Sequence, residues 1–258
     1  MKKTVIVTGA NSGIGREVSR ILVEQNYYVI MLGRNSSRLL EVQNSLDPMR
    51  ETTKILSCDL SQLASIRQTV NIIRQSQMPI HGLVNAAGVG YFKNTIDSTD
   101  EEIAQTFQTN ALGLIYLTKY VAQLMVKQGF GHIINVASMA GKLTTPKAAV
   151  YGSSKAAVIA FSNGLRLEMR PYHVLVSTVN TGPVETPFLN KADKTGNYSN
   201  SVQNYLLNST AVAKKIALLL ERYKREVNLP WYMEAAAKLY PFAPRVGDYL
   251  SGVVFNKK

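Results

Sequence analysis

The sequence predicts a single α/β domain over residues 1–258, with a doubly wound, seven-stranded parallel sheet flanked by helices. Three observations carry this reading. Apolar β-rich segments alternate with amphipathic ones, the pattern of parallel strands joined by helical crossovers. The strand candidates are nearly continuous Val/Ile/Leu runs, as expected of strands covered on both faces. The 258 residues suffice for one large core, and no repeat, linker or low-complexity stretch divides them.

The first strand is Lys3–Thr8, an apolar run that stops at Gly9. A helix follows from Gly13 to about Asn26. Tyr27–Leu32 is the second strand, and a helix covers Ser36–Leu46. Thr53–Cys58 is the third strand. Ser61 is a suitable N-cap for a helix running to about Ser76. Ile80–Asn85 is the fourth strand. Asp97 or Ser98 opens a long helical region to about Lys127, with Gly113 inside it. His132–Ala137 is the fifth strand, Val150–Met169 a helix and Val174–Val179 the sixth strand. A helix at Ala211–Arg222 and a short strand at Glu226–Leu229 complete the pattern. Crossovers are expected to be right-handed. Residues 188–207 replace a simple loop after the sixth strand, and 230–258 form an apolar, basic extension.

Composition narrows the function. The one cysteine, Cys58, rules out an internal disulfide and reads as a small buried residue. His81, His132 and His173 stand alone at strand starts, and no metal-ligand spacing appears, so no metal is expected. Met1-Lys2-Lys3 is followed by only four apolar residues before Thr8-Gly9-Ala10-Asn11, short of a signal-peptide core. A cytoplasmic protein is expected. The net charge of +12 could attract an anionic partner. It is not gathered in a nucleic-acid motif, so no specific nucleic-acid partner is expected.

Two stretches carry chemistry. In Thr8-Gly9-Ala10-Asn11-Ser12-Gly13-Ile14-Gly15 the glycines lie between a strand and a helix. Glycine permits a sharp turn and a close approach of backbone to phosphate, and the helix start offers free N–H groups. The spacing is wider than the usual dinucleotide fingerprint. At the end of the second strand, Leu32-Gly33-Arg34-Asn35 holds no carboxylate for a ribose 2′-hydroxyl. Arg34, with Ser12 adding a hydroxyl, suits a 2′-phosphate instead, so NADP is expected over NAD. Asp59 could receive the adenine amino group or merely sit at a helix start. Asn85-Ala86-Ala87-Gly88 supplies small residues near the first turn, and Asn85 can tie strands together.

The second stretch is Tyr151-Gly152-Ser153-Ser154-Lys155, thirteen residues after Ser138. Positions four apart share a helix face, so a phenol and an ammonium stand side by side. The cation is expected to ease the phenol's loss of a proton. A phosphate-binding turn and a tuned proton donor together imply hydride transfer to a carbonyl.

With these residues in place, the chain resembles the short-chain dehydrogenase/reductase family over residues 3–229. The resemblance rests on Thr8–Gly15, Asn85–Gly88, Asn110 within Thr109-Asn110-Ala111, Ser138, Tyr151 with Lys155, and Gly182-Pro183-Val184-Glu185-Thr186. Thr181 stands where the family usually has proline. The resemblance implies that Tyr151 is the proton donor or acceptor, Lys155 lowers its pKa and holds the ribose, Ser138 donates to the carbonyl oxygen, and Asn110 holds a water leading to solvent. It implies a Rossmann-type dinucleotide site made of Gly9, Asn11, Ser12, Gly13, Ile14, Gly15, Arg34, Asp59, Leu60, Asn85, Ala86, Gly88, Tyr151, Lys155, Gly182, Val184 and Thr186. It also implies a small carbonyl or alcohol substrate and a homodimer or homotetramer. Within the family, Gly131–Ser138 and Lys224–Pro230 look like a subgroup of uncharacterised bacterial oxidoreductases related to the 3-oxoacyl-carrier-protein reductases. The nearly thirty residues after the last strand count against that specific activity. A non-catalytic dinucleotide sensor is the alternative, though such a protein would be expected to lose a proton-transfer residue.

The segment 188–207 is expected to cover the substrate, with Lys191 and Lys194 either steering an anion or merely solvated. Three readings of 230–258 stay open: a contact between subunits, a wall of an apolar substrate pocket, or peripheral contact with an anionic membrane.

Overall fold

The computed structural model describes residues 2–143, 145–193 and 196–255. Lys194, Lys257 and Lys258 lie outside the described residues. Seven parallel strands form one sheet in the order β3-β2-β1-β4-β5-β6-β7. They are β1 Thr4–Thr8, β2 Tyr28–Gly33, β3 Thr53–Ser57, β4 Ile80–Asn85, β5 Gly131–Val136, β6 Val174–Thr181 and β7 Glu226–Leu229. The chain winds outward from β1 to β3, then returns and winds the other way from β4. That reversal opens a crevice above the C-terminal ends of β1 and β4, where ligands of such sheets bind.

Successive strand residues face opposite sides, and both sides here are apolar. Val5 and Val7 of β1 pack on one side with Val18 and Leu22 of α1 (Gly13–Glu24). Ile6 packs on the other with Ile66 of the helix α3 (Leu63–Gln75). The helix α2 (Ser36–Leu46) lies on the first side through Leu39. This two-sided burial is why the strands read as unbroken apolar runs.

Several boundaries differ from the sequence expectation. Ser61 does not cap α3. Its N–H and hydroxyl both donate to Asp59 Oδ1, at 2.9 and 2.8 Å, and the helix starts at Leu63. The long helical region opens neither at Asp97 nor at Ser98. Asp97 belongs to a 3₁₀ turn, and Thr99 caps α4 (Asp100–Phe107) in a capping box with Glu102. The region then widens into a π-helical turn, Gln108–Gly113, before α5 (Leu114–Gln128). The helix α6 spans Ala149–Met169. Strand β6 runs on to Thr181 because Thr181 pairs with Leu229 of β7.

Residues 188–207 are largely helical, with α7 at Pro187–Ala192 and α8 at Asn197–Val202. The ends of the excursion are stapled together. Glu185 N–H donates to Leu207 O at 2.9 Å, and Leu207 N–H to Pro183 O at 2.8 Å. The helix α9 (Ser209–Leu219), capped by Asn208, packs beside α1. Beyond β7, α10 (Trp231–Leu239) and α11 (Pro244–Phe255) are separated by a turn at Tyr240–Phe242.

Candidate active site

The glycine turn is held by contacts that side chains would obstruct. Gly9 adopts φ +67°, which disfavours other residues. Gly15 lies so close to the turn that a Cβ on it would sit 2.4 Å from Gly9 O. Thr8 Oγ1 accepts from the backbone N–H groups of Ala86 and Ala87, both at 3.0 Å, locking the turn to the end of β4. Ser12 precedes α1 without making a side-chain cap bond, and the first helical turn contains no acid. The free N–H groups and the positive dipole end therefore face outward, as an anion requires.

A cavity of ≈ 580 Å³ runs from this turn to α6. Its wall includes Gly9, Asn11, Ser12, Gly13, Ile14, Arg34, Leu60, Ala86 and Gly88 at one end. Ser138, Tyr151, Lys155, Gly182, Val184 and Thr186 line the other. Four of the expected residues stand behind the wall rather than in it. Gly15 supports the turn. Asp59 Oδ1 accepts from the Ser61 N–H and hydroxyl. Asn85 donates to Thr118 Oγ1 at 2.9 Å and Asn135 Oδ1 at 2.8 Å, joining β4 to α5 and β5. Asn110 is fully buried. Its Oδ1 accepts from Val89 N–H at 2.8 Å, and its Nδ2 donates to Val89 O at 2.8 Å and Ser154 Oγ at 3.0 Å. These bonds tie the π-helical turn to Val89 and to α6. Asn110 thereby fixes the segment entering the cavity after Gly88.

The reactive groups sit at the end of β5 and on one face of α6. Ser138 accepts from Ala140 N–H at 3.1 Å and donates to Thr181 O at 3.2 Å. Lys155 is 4% exposed, and its Nζ donates to Val136 O at 3.0 Å. That nitrogen lies 5.9 Å from the centre of the Tyr151 ring. The expectation that the cation makes the phenol more acidic needs correction here. Burial dominates and pushes Tyr151 above its ordinary value, although part of its surface faces the cavity; the neighbouring Ser138 hydroxyl works in the opposite direction. Burial lowers Lys155 to about 8. Cys58 is buried in the wall with its thiol pushed up by desolvation, the state of an inert packing residue.

Other wall residues went unread in the sequence. Arg38 joins Arg34 at the end of β2. Among the described residues neither guanidinium has a hydrogen-bond or ion-pair partner. A signal existed: Arg38 lies in the first turn of α2, where the dipole disfavours a cation. Beyond Tyr151, Phe92 packs against Phe188 and stacks on Tyr198 at 4.0 Å between ring centres. Burial raises Tyr198 to about 12. Lys191 reaches the same wall, and so does Met233 from α10.

Comparison with known proteins agrees with this geometry. The sequence profile described as short chain dehydrogenase matches residues 3–197. An uncharacterized oxidoreductase of Staphylococcus epidermidis is 31% identical over 74% of this chain and 82% of its own length. Dehydrogenase/reductase SDR family member 7B of Xenopus laevis is 30% identical over 70% of this chain, which spans only 58% of that relative. Among solved structures, the closed form of a serine dehydrogenase complexed with NADP+ is 28% identical, with a TM-score of 0.79 covering 88% of this chain and 94% of that one. A short-chain dehydrogenase/reductase from Burkholderia phymatum in complex with NAD shares the fold, with a TM-score of 0.87 at 20% identity and 95% coverage of both chains.

Proposed function

The chain belongs to the short-chain dehydrogenase family, and on that premise we propose that it moves a hydride between NADP(H) and a ketone or secondary alcohol with an apolar portion. One observation carries the reading. Ser138, Tyr151 and Lys155 face the same cavity as the glycine turn and the two unpaired arginines. The residues present fit a dinucleotide, since Gly9 and Gly15 clear the backbone of side chains where α1 presents its N-terminus. When bound, the nicotinamide supplies or accepts the hydride.

The chain's own groups handle the proton and the charge. Ser138 stands beside Tyr151 and can donate to a carbonyl oxygen as negative charge grows on it. Tyr151 keeps its proton at neutral pH, the form needed to protonate a developing alkoxide, which is far more basic than any phenolate. Lys155 then offsets the phenolate left behind, across the short gap to the ring. Phe92, Phe188 and Tyr198 surround the phenol with apolar surface and exclude water from it. That lining supports an apolar substrate portion. A sensor without turnover would have no use for Ser138 and Tyr151 on the cavity wall. We propose further that the enzyme is cytoplasmic and pairs through α5 and α6, where Leu167 is exposed.

A panel of carbonyl compounds, scored by consumption of NADPH, tests the activity. Turnover with no member would count against it. Arg34→Glu combined with Arg38→Glu should weaken NADPH binding ~10–100-fold and leave NADH binding nearly unchanged, since both guanidiniums are exposed and partly screened. Equal losses for the two cofactors in titration would overturn the NADP preference. The reductive rate should hold through neutral pH and fall as pH rises through about 8, where Lys155 loses its proton. A profile at saturating substrate and cofactor, flat across that value, would refute the role given to the ammonium.

A further inference from the structure

The segment after β7 is folded but uncovered. No residue from Trp231 to Tyr249 is buried. Trp231, Leu239, Phe242, Val246 and Tyr249 are between 59% and 86% exposed. Short helices with so little buried surface gain little from the fold beneath them, so an apolar face of this kind calls for a covering partner.

We propose that α10 and α11 dock the enzyme on an anionic lipid bilayer. The charge of the chain as a whole selects this occupant. Both acids of the segment are engaged internally, Glu234 with Lys238 at 2.7 Å and Asp248 with the Tyr240 hydroxyl at 2.7 Å. Arg245 has no such partner among the described residues and sits between Phe242 and Val246. Within the described segment Lys238 and Arg245 balance Glu234 and Asp248, while the chain as a whole carries +12. A second copy would bring a chain of the same +12 against this one. Anionic headgroups supply the missing charge. The residue types agree, because tryptophan and tyrosine place an apolar ring in lipid and a polar tip in the headgroup layer. Among the described residues no helix is long and apolar enough to cross a membrane, so the pair lies on the surface. Met233, on the same helix as Trp231, lines the cavity. Docking therefore sets one wall of the cavity at the lipid boundary.

The chain contains a single tryptophan, and it lies in this face. Its emission reports docking directly, whatever the catalytic activity proves to be. The full-length protein is mixed with vesicles of phosphatidylcholine alone or with phosphatidylglycerol, and co-sedimentation is measured alongside emission. Binding to the anionic vesicles with a blue shift is expected. Phe242→Ser with Val246→Ser should reduce that binding ~10-fold or more, and Arg245→Glu should also weaken it, with unchanged circular dichroism in each case. Three results would overturn the proposal: no binding to anionic vesicles, undiminished binding by the Ser variants (charge attraction elsewhere on the chain), or a smaller oligomer in these variants without vesicle binding by the parent (a second copy as occupant).

Discussion

Tyr151→Phe should lose turnover by ~10²–10⁴-fold and bind the dinucleotide as tightly as the parent. The substitution removes one oxygen and leaves the ring. Phe92 and Phe188 pack on that ring at 5.4 and 5.7 Å between centres, and these contacts survive. The phosphate end of the cavity is formed by the turn after β1 and is untouched. What disappears is the proton donor beside Ser138. Because burial keeps the phenol protonated at neutral pH, its removal costs the protein no buried charge, and the melting temperature should change little. Single-turnover kinetics with saturating NADPH, beside a cofactor titration, separate the two effects. Turnover within about threefold of the parent would refute the assignment of Tyr151 as the acid, because a water could not replace it across so apolar a lining.

The sequence was a good guide to the sheet and a poorer one to the groups around Tyr151. Strand order follows from alternation and apolar runs, which reflect two-sided burial directly. Helix starts were less legible because several polar residues competed for each. Thr99 and Glu102 carry the capping-box spacing, yet Asp97 and Ser98 precede them and look equally suitable. Only the path of the chain assigns Asp97 to its own turn. The π-helical turn around Asn110 leaves no mark in periodicity, and Asn110 there bonds Val89, 21 residues away in sequence.

The site divides in the same way. Spacing alone put Tyr151 and Lys155 on one face of α6, and they are there. It could not reveal that Lys155 Nζ is directed at Val136 O, or that aromatic neighbours from two other segments, Phe92 and Phe188, desolvate the phenol. Those are long-range contacts, and they reverse the expected direction of the Tyr151 shift. Asp59 illustrates the same limit. An acid after a strand is compatible with adenine or with a local turn, and in the fold Ser61 donates to its Oδ1. Arg38 is the opposite case, legible from a cation placed against the dipole at the start of α2.

Lys155→Met should abolish nearly all turnover, ~10²-fold or more, and should also alter how stability depends on pH. The ammonium is buried, and its value falls from 10.5 to about 8. Between those values the unfolded chain holds a proton that the folded one has released. Stability of the parent from this group therefore rises as pH climbs from about 8 toward 10.5, and below about 8 the buried charge weighs fully against folding. That burden is on the order of 3 kcal/mol, partly offset by the bond to Val136 O. Methionine fills the same space without charge, and so lacks this dependence. Measured without dinucleotide, the variant's stability relative to the parent should be greatest near neutral pH and decline by on the order of 3 kcal/mol as pH passes through that window. The lost bond to Val136 O shifts the whole curve without changing its slope, so the slope isolates the ammonium. Denaturant unfolding of both proteins on either side of about pH 8 provides the comparison. A gap independent of pH would mean that Lys155 is solvated as an ordinary lysine, and a solvated ammonium could not serve the phenolate in the way proposed here.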